Sequence, residues 1–451
     1  MKLPVVVAAL AVLALVGAGC GSDGGATTAG AGADSSSAQA ADTQAAQASA
    51  GPRGQCGDVP IGPLKDPGNL VAQLPEKLQK YYEGLPYQID RSAYADFRPR
   101  HGPPWTIGFL NGPLEQPYNQ GVKRDVEFLV GKLKEDGLVK DLVLRAAPSY
   151  DVAPQIQQFN SLIQQKVDVI IVEPNSTTAL IPTITAAYKA GIPTITTSGV
   201  VTSPYAVNWT TNPWLNGAVP TAYVAKNYMR GTGNYLLVQG QATQPTAIAG
   251  LAGMKAALSN CPDIKVVNDT PLQSTYSNSV AKSVVLQFLA SHPEEIDGVG
   301  DGGVTCPGIV SAFEQLGRRV PYVTNMGAIV GCLAYQKEHK DEWGSAATAS
   351  GGYEFDRIPI DIALRVLQGK GPKLNSIIGQ GYLVTNDNID EIADFQKQDG
   401  FNSANVNVGE AFPYSLLSSE DLDGYFSRPG VRAPPGIDEG EAEGIEELLG
   451  Q

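Results

Sequence analysis

Beginning at Trp105, the chain alternates short apolar runs with amphipathic segments of helical period, and this alternation restricts the fold more than any other feature. TIGFLNG is followed by NQGVKRDVEFLVGKLKEDG, DLVLRAAP by APQIQQFNSLIQQKV, and DVIIVEPN by TALIPTITAAYKAG and then IPTITTSG. Runs this short and this apolar, separated by helices, predict parallel strands covered on both faces. The Ala190-Gly191 pair stops a helix and Ile192-Pro193 opens the next strand. After the bridging stretch AVNWTTNPWLNG the pattern restarts, with AVPTAYVAKNYMRGTG, NYLLVQG, TAIAGLAGMKAALSNCP, IKVVNDT, SNSVAKSVVLQFLASHP, IDGVGDGG, GIVSAFEQLGRR and VPYVTNMG in turn. Two successive α/β units of about 110 to 140 residues each fit ordinary domain size. A composition of 43% hydrophobic and 17% charged residues supplies two packed cores. The fold class is therefore α/β, with two doubly wound parallel-sheet lobes.

The N-terminus carries a different signal. In MKLPVVVAALAVLALVGAGC, Lys2 precedes an apolar stretch that closes on small residues, the layout of a cleaved export segment and short for a membrane span. Ala18, Gly19 and Cys20 resemble the lipobox of bacterial lipoproteins, although Gly17 stands where that motif has Leu or Val. The resemblance implies a lipidated Cys20 and a protein held at the outer side of the cell membrane. Residues 21–55 are almost wholly Gly, Ala, Ser, Thr, Gln and Asp, too polar and too small to build a core, and read as a flexible linker. A formal charge of −14 argues against nucleic acid as a partner, and part of it lies in the tail GIDEGEAEGIEELLG, which has six acids and no base. Besides Cys20 there are Cys56, Cys261, Cys306 and Cys332, which in an oxidising compartment allow one or two disulfides in any of three pairings. None lies in a Cys-x-x-Cys or Cys/His cluster, so no metal and no cofactor is expected.

Three segments resemble the type I periplasmic binding proteins, in particular the sugar-binding components of ABC transporters related to the ribose and xylose binders. GFLNGPLEQPYNQGVKRDVE is similar to the family's first strand, ligand loop and first helix. VDVIIVEPNSTTALIPTITAAYKAGIPTIT is similar to its I-I-x-P segment, and GYEFDRIPIDIALRVLQGKGP to its late helix. The resemblance covers about residues 105–395. It implies a three-segment hinge with crossings near WTTNPW, near TASGG and shortly after IIGQGYLV, and a ligand captured in the cleft between the lobes. On that basis, lobe 1 takes residues 105–211 plus about 352–385, and lobe 2 takes 212–351 plus about 386–398. Around them lie an export segment (1–20), an extension on the first lobe (56–104) with Cys56 as a pin, and a C-terminal extension (399–451).

Ligands of open α/β sheets sit at the carboxyl ends of strands, and the resemblance points to the same loops. Gln116, Tyr118 and Asn119 fall where the family places a polar group and stacking aromatics, and an aromatic face packs on the apolar face of a sugar while amides take its hydroxyls. Ser198 and Gly199 stand where many relatives carry an acid and an arginine, so that charged grip is missing. Gln244 and Thr246 belong to the third loop. Asp301, Asn325 and Tyr353 complete the set, each with a turn or packing role as its alternative. Asn212 lies at a crossing, where hinge and turn chemistry explain it as well as a ligand does, and Trp209 and Trp214 flank it.

A site read as neutral amides and aromatics implies a neutral, sugar-like or polyol ligand, and the resemblance implies delivery to an ABC permease by a monomer. The alternatives are a receptor that presents its closed form to a membrane histidine kinase, and a binder of a non-sugar neutral metabolite. Catalysis has little support. His101, His292 and His339 belong to no HExxH, and G-x-S-x-G, G-x-x-x-x-G-K-[ST] and a strand-borne G-x-G-x-x-G are absent.

Overall fold

The computed structural model describes residues 54–328, 330–349, 353–390 and 416–428. The export segment, Cys20, most of the polar linker and the acidic tail lie outside the described residues.

Two sheets organise the molecule. The first holds β1 (Trp105–Asn111), β2 (Val139–Ala146), β3 (Val169–Val172), β4 (Thr194–Thr196), β5 (Val207–Thr211) and β12 (Ser376–Gly379), in the spatial order β12-β5-β4-β3-β1-β2, all parallel. The second holds β6 (Thr232–Gln239), β7 (Asp263–Val266), β8 (Leu272–Gln273), β9 (Gly298–Gly302), β10 (Tyr322–Asn325), β11 (Ser345–Ala349) and β13 (Tyr382–Val384). Its order is β13-β11-β10-β9-β6-β7 with β8 beside β6, and only β13 runs antiparallel. The connecting helices are α2 (Pro117–Glu135), α3 (Val152–Gln164) and α4 (Ile181–Lys189) on the first sheet, and α5 (Pro213–Tyr223), α6 (Pro245–Ser259), α7 (Asn278–Ser291), α8 (Cys306–Gln315) and α9 (Val330–His339) on the second; α10 (Tyr353–Leu367) returns to pack on α2, β3 and β4.

Local chemistry accounts for these boundaries. The central strand VIIV is buried at all four positions, as a strand covered on both faces must be. Helices α2, α5 and α6 each open on a proline, whose fixed φ suits the first helical turn and whose missing N–H would be unpaired there anyway. Helix α4 ends at Gly191, whose φ of +71° provides the left-handed stop expected of Ala190-Gly191. Between α5 and α6 the backbones approach so closely that a Cβ on Gly217 would fall 2.1 Å from the Gly250 carbonyl oxygen.

The chain passes between the sheets three times: from β5 to α5, from β11 to α10, and from β12 to β13. The last crossing comes earlier than the sequence suggested. Tyr382–Val384 pairs with β11 of the second sheet, so the late piece of lobe 1 ends at Gly379 rather than near 385, because the polar Gln380-Gly381 pair, not the end of the apolar run, makes the turn.

The segment before β1 also departs from expectation. Residues 64–97, including the short helix α1 (Glu76–Lys80), do cover lobe 1. There Leu78, Tyr81, Tyr82, Leu85, Ile89 and Tyr94 join the core of Ile107, Phe109 and Ile377. The beginning of the extension instead belongs to lobe 2. Cys56 is bonded to Cys261, the Gly54 and Gly57 amides donate to the carbonyls of Arg230 and Asn260, and Val59 packs with Trp214, Leu215 and Ala257. The second disulfide joins Cys306 to Cys332, which selects one of the three possible pairings. From the C-terminal side, the helix Ser419–Gly424 closes over lobe 1, where the Tyr425 hydroxyl donates to the Ile378 carbonyl at 2.7 Å and the Arg365 guanidinium meets Asp423 at 2.6 Å. No helix among the described residues is long and apolar enough to cross a membrane.

Candidate functional site

The carboxyl ends of the two sets of parallel strands face one another, and side chains from both sides meet there. From lobe 1, Gln116 at the head of α2 donates through Nε2 to the Tyr276 carbonyl of lobe 2 at 2.6 Å and accepts from the Tyr150 hydroxyl at 3.0 Å. The rings of Tyr150 and Tyr276 lie 5.3 Å apart. The Thr246 hydroxyl of lobe 2 donates to the Ser198 carbonyl at 2.6 Å. These bonds describe two lobes closed on each other.

The proposed ligand residues fall into three groups. Tyr118, Asn119 and Ser198 come together in lobe 1. The Tyr118 hydroxyl lies 3.0 Å from the Ser198 hydroxyl, with Ser198 itself in the left-handed region at φ +63°. The Asn119 amide donates to the Pro113 carbonyl and the Tyr150 hydroxyl, while its buried Oδ1 has no partner. In lobe 2, Asn325 closes β10; its Nδ2 lies 3.2 Å from Cys332 Sγ and its Oδ1 is likewise buried and unpaired. Gln244 is buried at the first turn of α6.

A second group has structural duties instead. Asn212 is a correction to the ligand list: its Oδ1 accepts from the Trp214 and Leu215 amides while its Nδ2 donates to the carbonyls of Tyr81 and Glu83. Every hydrogen-bonding position of that amide is occupied, so it caps α5 and fastens the first crossing to the N-terminal extension. Asp301 closes a turn, its carboxylate accepting from the Gly303 and Thr305 amides and the Thr305 hydroxyl. Burial pushes its carboxyl up to about 6 against those bonds. Trp209 is core, with Nε1 donating to the Phe355 carbonyl, and Trp214 packs at the hinge. The third group is Tyr353 alone: it begins α10, and its side chain lies outside the described residues.

Three residues central to this region were not picked out from the sequence: Glu173, Tyr150 and Tyr276. Glu173 follows the last residue of β3, the strand-end position where ligands sit. Its backbone is fixed by the Leu110 carbonyl and by Gln155, whose Nε2 donates to the Glu173 carbonyl at 2.6 Å. Burial raises its carboxyl to about 7, opposed by the Gly112 amide, and no cation is among the groups that shift it. Its charge in turn acts on Tyr118, Tyr150 and Tyr276 and on Asp356, so these groups lie near it. Asp356 and Asp125 form a buried carboxyl pair between α10 and α2, both raised first by burial. The sequence reading of amides and aromatics thus left out one acid: Glu173, a buried carboxyl with tyrosines near it. Position at the end of VIIV was the signal that would have found Glu173. Tyr276 left none, because Thr275 and Tyr276 are held at φ +49° and +58° in an irregular loop that only the fold defines.

Comparison with known proteins agrees with this geometry. A family model described as a periplasmic binding protein domain matches residues 107–371. A xylitol-binding protein of Mycolicibacterium smegmatis is 31% identical over 180 residues, which are 38% of this chain and 50% of the relative; the chain thus spans about half the length of that curated relative. Among solved structures, an ABC transporter solute-binding protein from Thermobispora bispora superposes with a TM-score of 0.57 at 23% identity, covering 64% of this chain and 88% of that one. One from Mycobacterium smegmatis with bound glycerol gives 0.56 at 20% identity, over 64% of this chain and 97% of that one. At these identities the structural likeness establishes the fold, the two-lobed type I architecture. These relatives are binding proteins, not enzymes.

Proposed function

Since the chain belongs to the periplasmic binding protein domain family, we propose that it is an extracytoplasmic solute receptor that captures a neutral polyol or sugar between its lobes and hands it to an ABC permease. The observation that carries the ligand class is the acceptor-rich character of the site. Glu173 with no cation acting on it, together with the unpaired Oδ1 atoms of Asn119 and Asn325, calls for a ligand that donates several hydrogen bonds. Hydroxyl groups do this, whereas a sugar acid or sugar phosphate would bring a second negative charge to a buried carboxylate. Tyr118, Tyr150 and Tyr276 offer ring faces for the carbon skeleton. The xylitol-binding relative and the glycerol-bound structure support the same class.

Capture is by lobe closure: bonds such as Gln116–Tyr276 and Thr246–Ser198 form only when the lobes meet, so a ligand that satisfies both walls stabilises the closed state. We further propose that the lobes work at the outer face of the cell membrane, attached through a lipid on Cys20 and the polar linker after it. Titration calorimetry with pentitols, hexitols, aldoses and the matching sugar acids tests the ligand class. Heat of binding from a polyol or sugar, with none from the acids, is the expected result, and binding of the acids in preference would overturn it.

A further inference from the structure

We propose that the N-terminal extension is a leash across the hinge, a fourth connection between the lobes that limits how far the cleft opens. The idea rests on the reading of two lobes that close on a ligand. The leash has two fixed ends and a short free middle. Its lobe 2 end is held by the Cys56–Cys261 bond, by the Gly54 and Gly57 amides on the carbonyls of Arg230 and Asn260, and by Val59 in the cluster of Trp214, Leu215 and Ala257. Its lobe 1 end begins at Leu64, packed on the lobe 1 core, and Lys65, whose carbonyl accepts from the Ile89 amide. It is then anchored deeply by the Tyr82 hydroxyl on the Ser376 carbonyl at 2.6 Å and the Tyr94 hydroxyl on the Tyr205 carbonyl at 2.8 Å.

Between Val59 and Leu64 lie Pro60, Ile61, Gly62 and Pro63, all exposed. Five Cα steps span at most about 17 Å even when fully extended, and two prolines stiffen them. The three hinge crossings are also short, but they bend by backbone rotation; a segment bonded covalently to one lobe and buried in the other resists the same rotation in tension. Two further contacts make the extension sensitive to closure. The Tyr87 hydroxyl reaches from the lobe 1 side to the Pro245 carbonyl at the start of α6, 2.7 Å away. The turn at Tyr81–Gly84 lies on the first crossing, where a Cβ on Gly84 would fall 2.3 Å from the Trp214 ring.

The test lengthens the leash without removing any contact. Gly-Ser-Gly-Ser inserted after Gly62, where a side chain would meet nothing within 4 Å, leaves both anchors and the disulfide intact, and loop-closure cost grows slowly with length. Small-angle scattering of the ligand-free full chain reads the opening directly, with no dependence on which ligand the site takes. The expected result is a larger radius of gyration for the insertion variant than for wild type at an unchanged melting temperature, and a smaller increase in Cys56→Ser/Cys261→Ser, which removes the covalent hold on the lobe 2 end and leaves the Gly54, Gly57 and Val59 contacts. If a polyol binds, it should dissociate from the insertion variant severalfold faster. Should the insertion variant fail to fold, the double cysteine variant decides. Identical ligand-free radii in wild type and the folded variants would overturn the proposal, because the three crossings alone would then set the opening.

Discussion

Glu173 is the residue at which burial bears most directly on the proposed ligand site. Its carboxyl keeps its proton up to about pH 7 in the folded chain, against an ordinary value of 4.5. Between those two values the folded state therefore holds a proton that the unfolded state has released, so this group's contribution to stability falls as pH rises through the window. Asp301, raised to about 6 from 3.8, acts with the same sign at lower pH. Thermal melts of the ligand-free protein from pH 4.5 to 7.5 should show the decline, and Glu173→Gln should flatten its upper part. Measured above pH 7, where Glu173 is ionised, the same substitution should weaken polyol binding by about tenfold, the size of one hydrogen bond to a charged acceptor; unchanged affinity in calorimetry would remove Glu173 from the ligand contacts. For Asn212 the expectation is opposite. Replacing it by Ala removes two cap bonds and two bonds to the extension, which should cost about 2 to 4 kcal/mol in urea unfolding. A loss under 0.5 kcal/mol would show the hinge cap to be dispensable. The ligand and hinge alternatives for this residue could not be separated in sequence, because Asn before Pro suits both; the positions of Tyr81 and Glu83 separate them.

At the scale of elements, the alternation of VIIV-type runs with amphipathic helices was readable because parallel strands must be apolar on both faces, a demand that composition alone expresses. The helix starts were readable for the same kind of reason, since prolines at 117, 213 and 245 satisfy a geometric need of the first turn. What sequence could not express was how close α5 and α6 come. Gly217 and Gly253 look like helix-weakening residues, yet they let backbone meet backbone: a Cβ on Gly253 would lie 2.0 Å from the Trp214 carbonyl oxygen. Gly217→Ala should therefore destabilise by roughly 1 to 3 kcal/mol through overpacking, in spite of alanine's better helix propensity. A stabilised variant in calorimetry would mean that α5 and α6 separate without penalty. The path of residues 54–63 was equally hidden, because a pairing between Cys56 and Cys261 depends on which lobe the extension reaches first.

For the whole molecule, two lobes that share an apolar cluster at the hinge, where Ala347, Ala349 and Val384 of lobe 2 join the core of lobe 1, are crossed by short connections, and direct bonds between them lie beside the candidate ligand residues. On the proposed function that arrangement couples binding to closure, so a ligand should register as a gain in stability as well as in heat. Tethering at the membrane and transfer to a permease follow from the proposed role, and ligand capture is proposed from the facing surfaces of the lobes. Titration of the purified protein with a five-carbon polyol such as xylitol, alongside the corresponding sugar acid, addresses that capture most directly. Saturable binding of the polyol with a raised melting temperature, and none with the acid, is the expected result; no binding by any polyol or sugar, or binding of the acid instead, would contradict it.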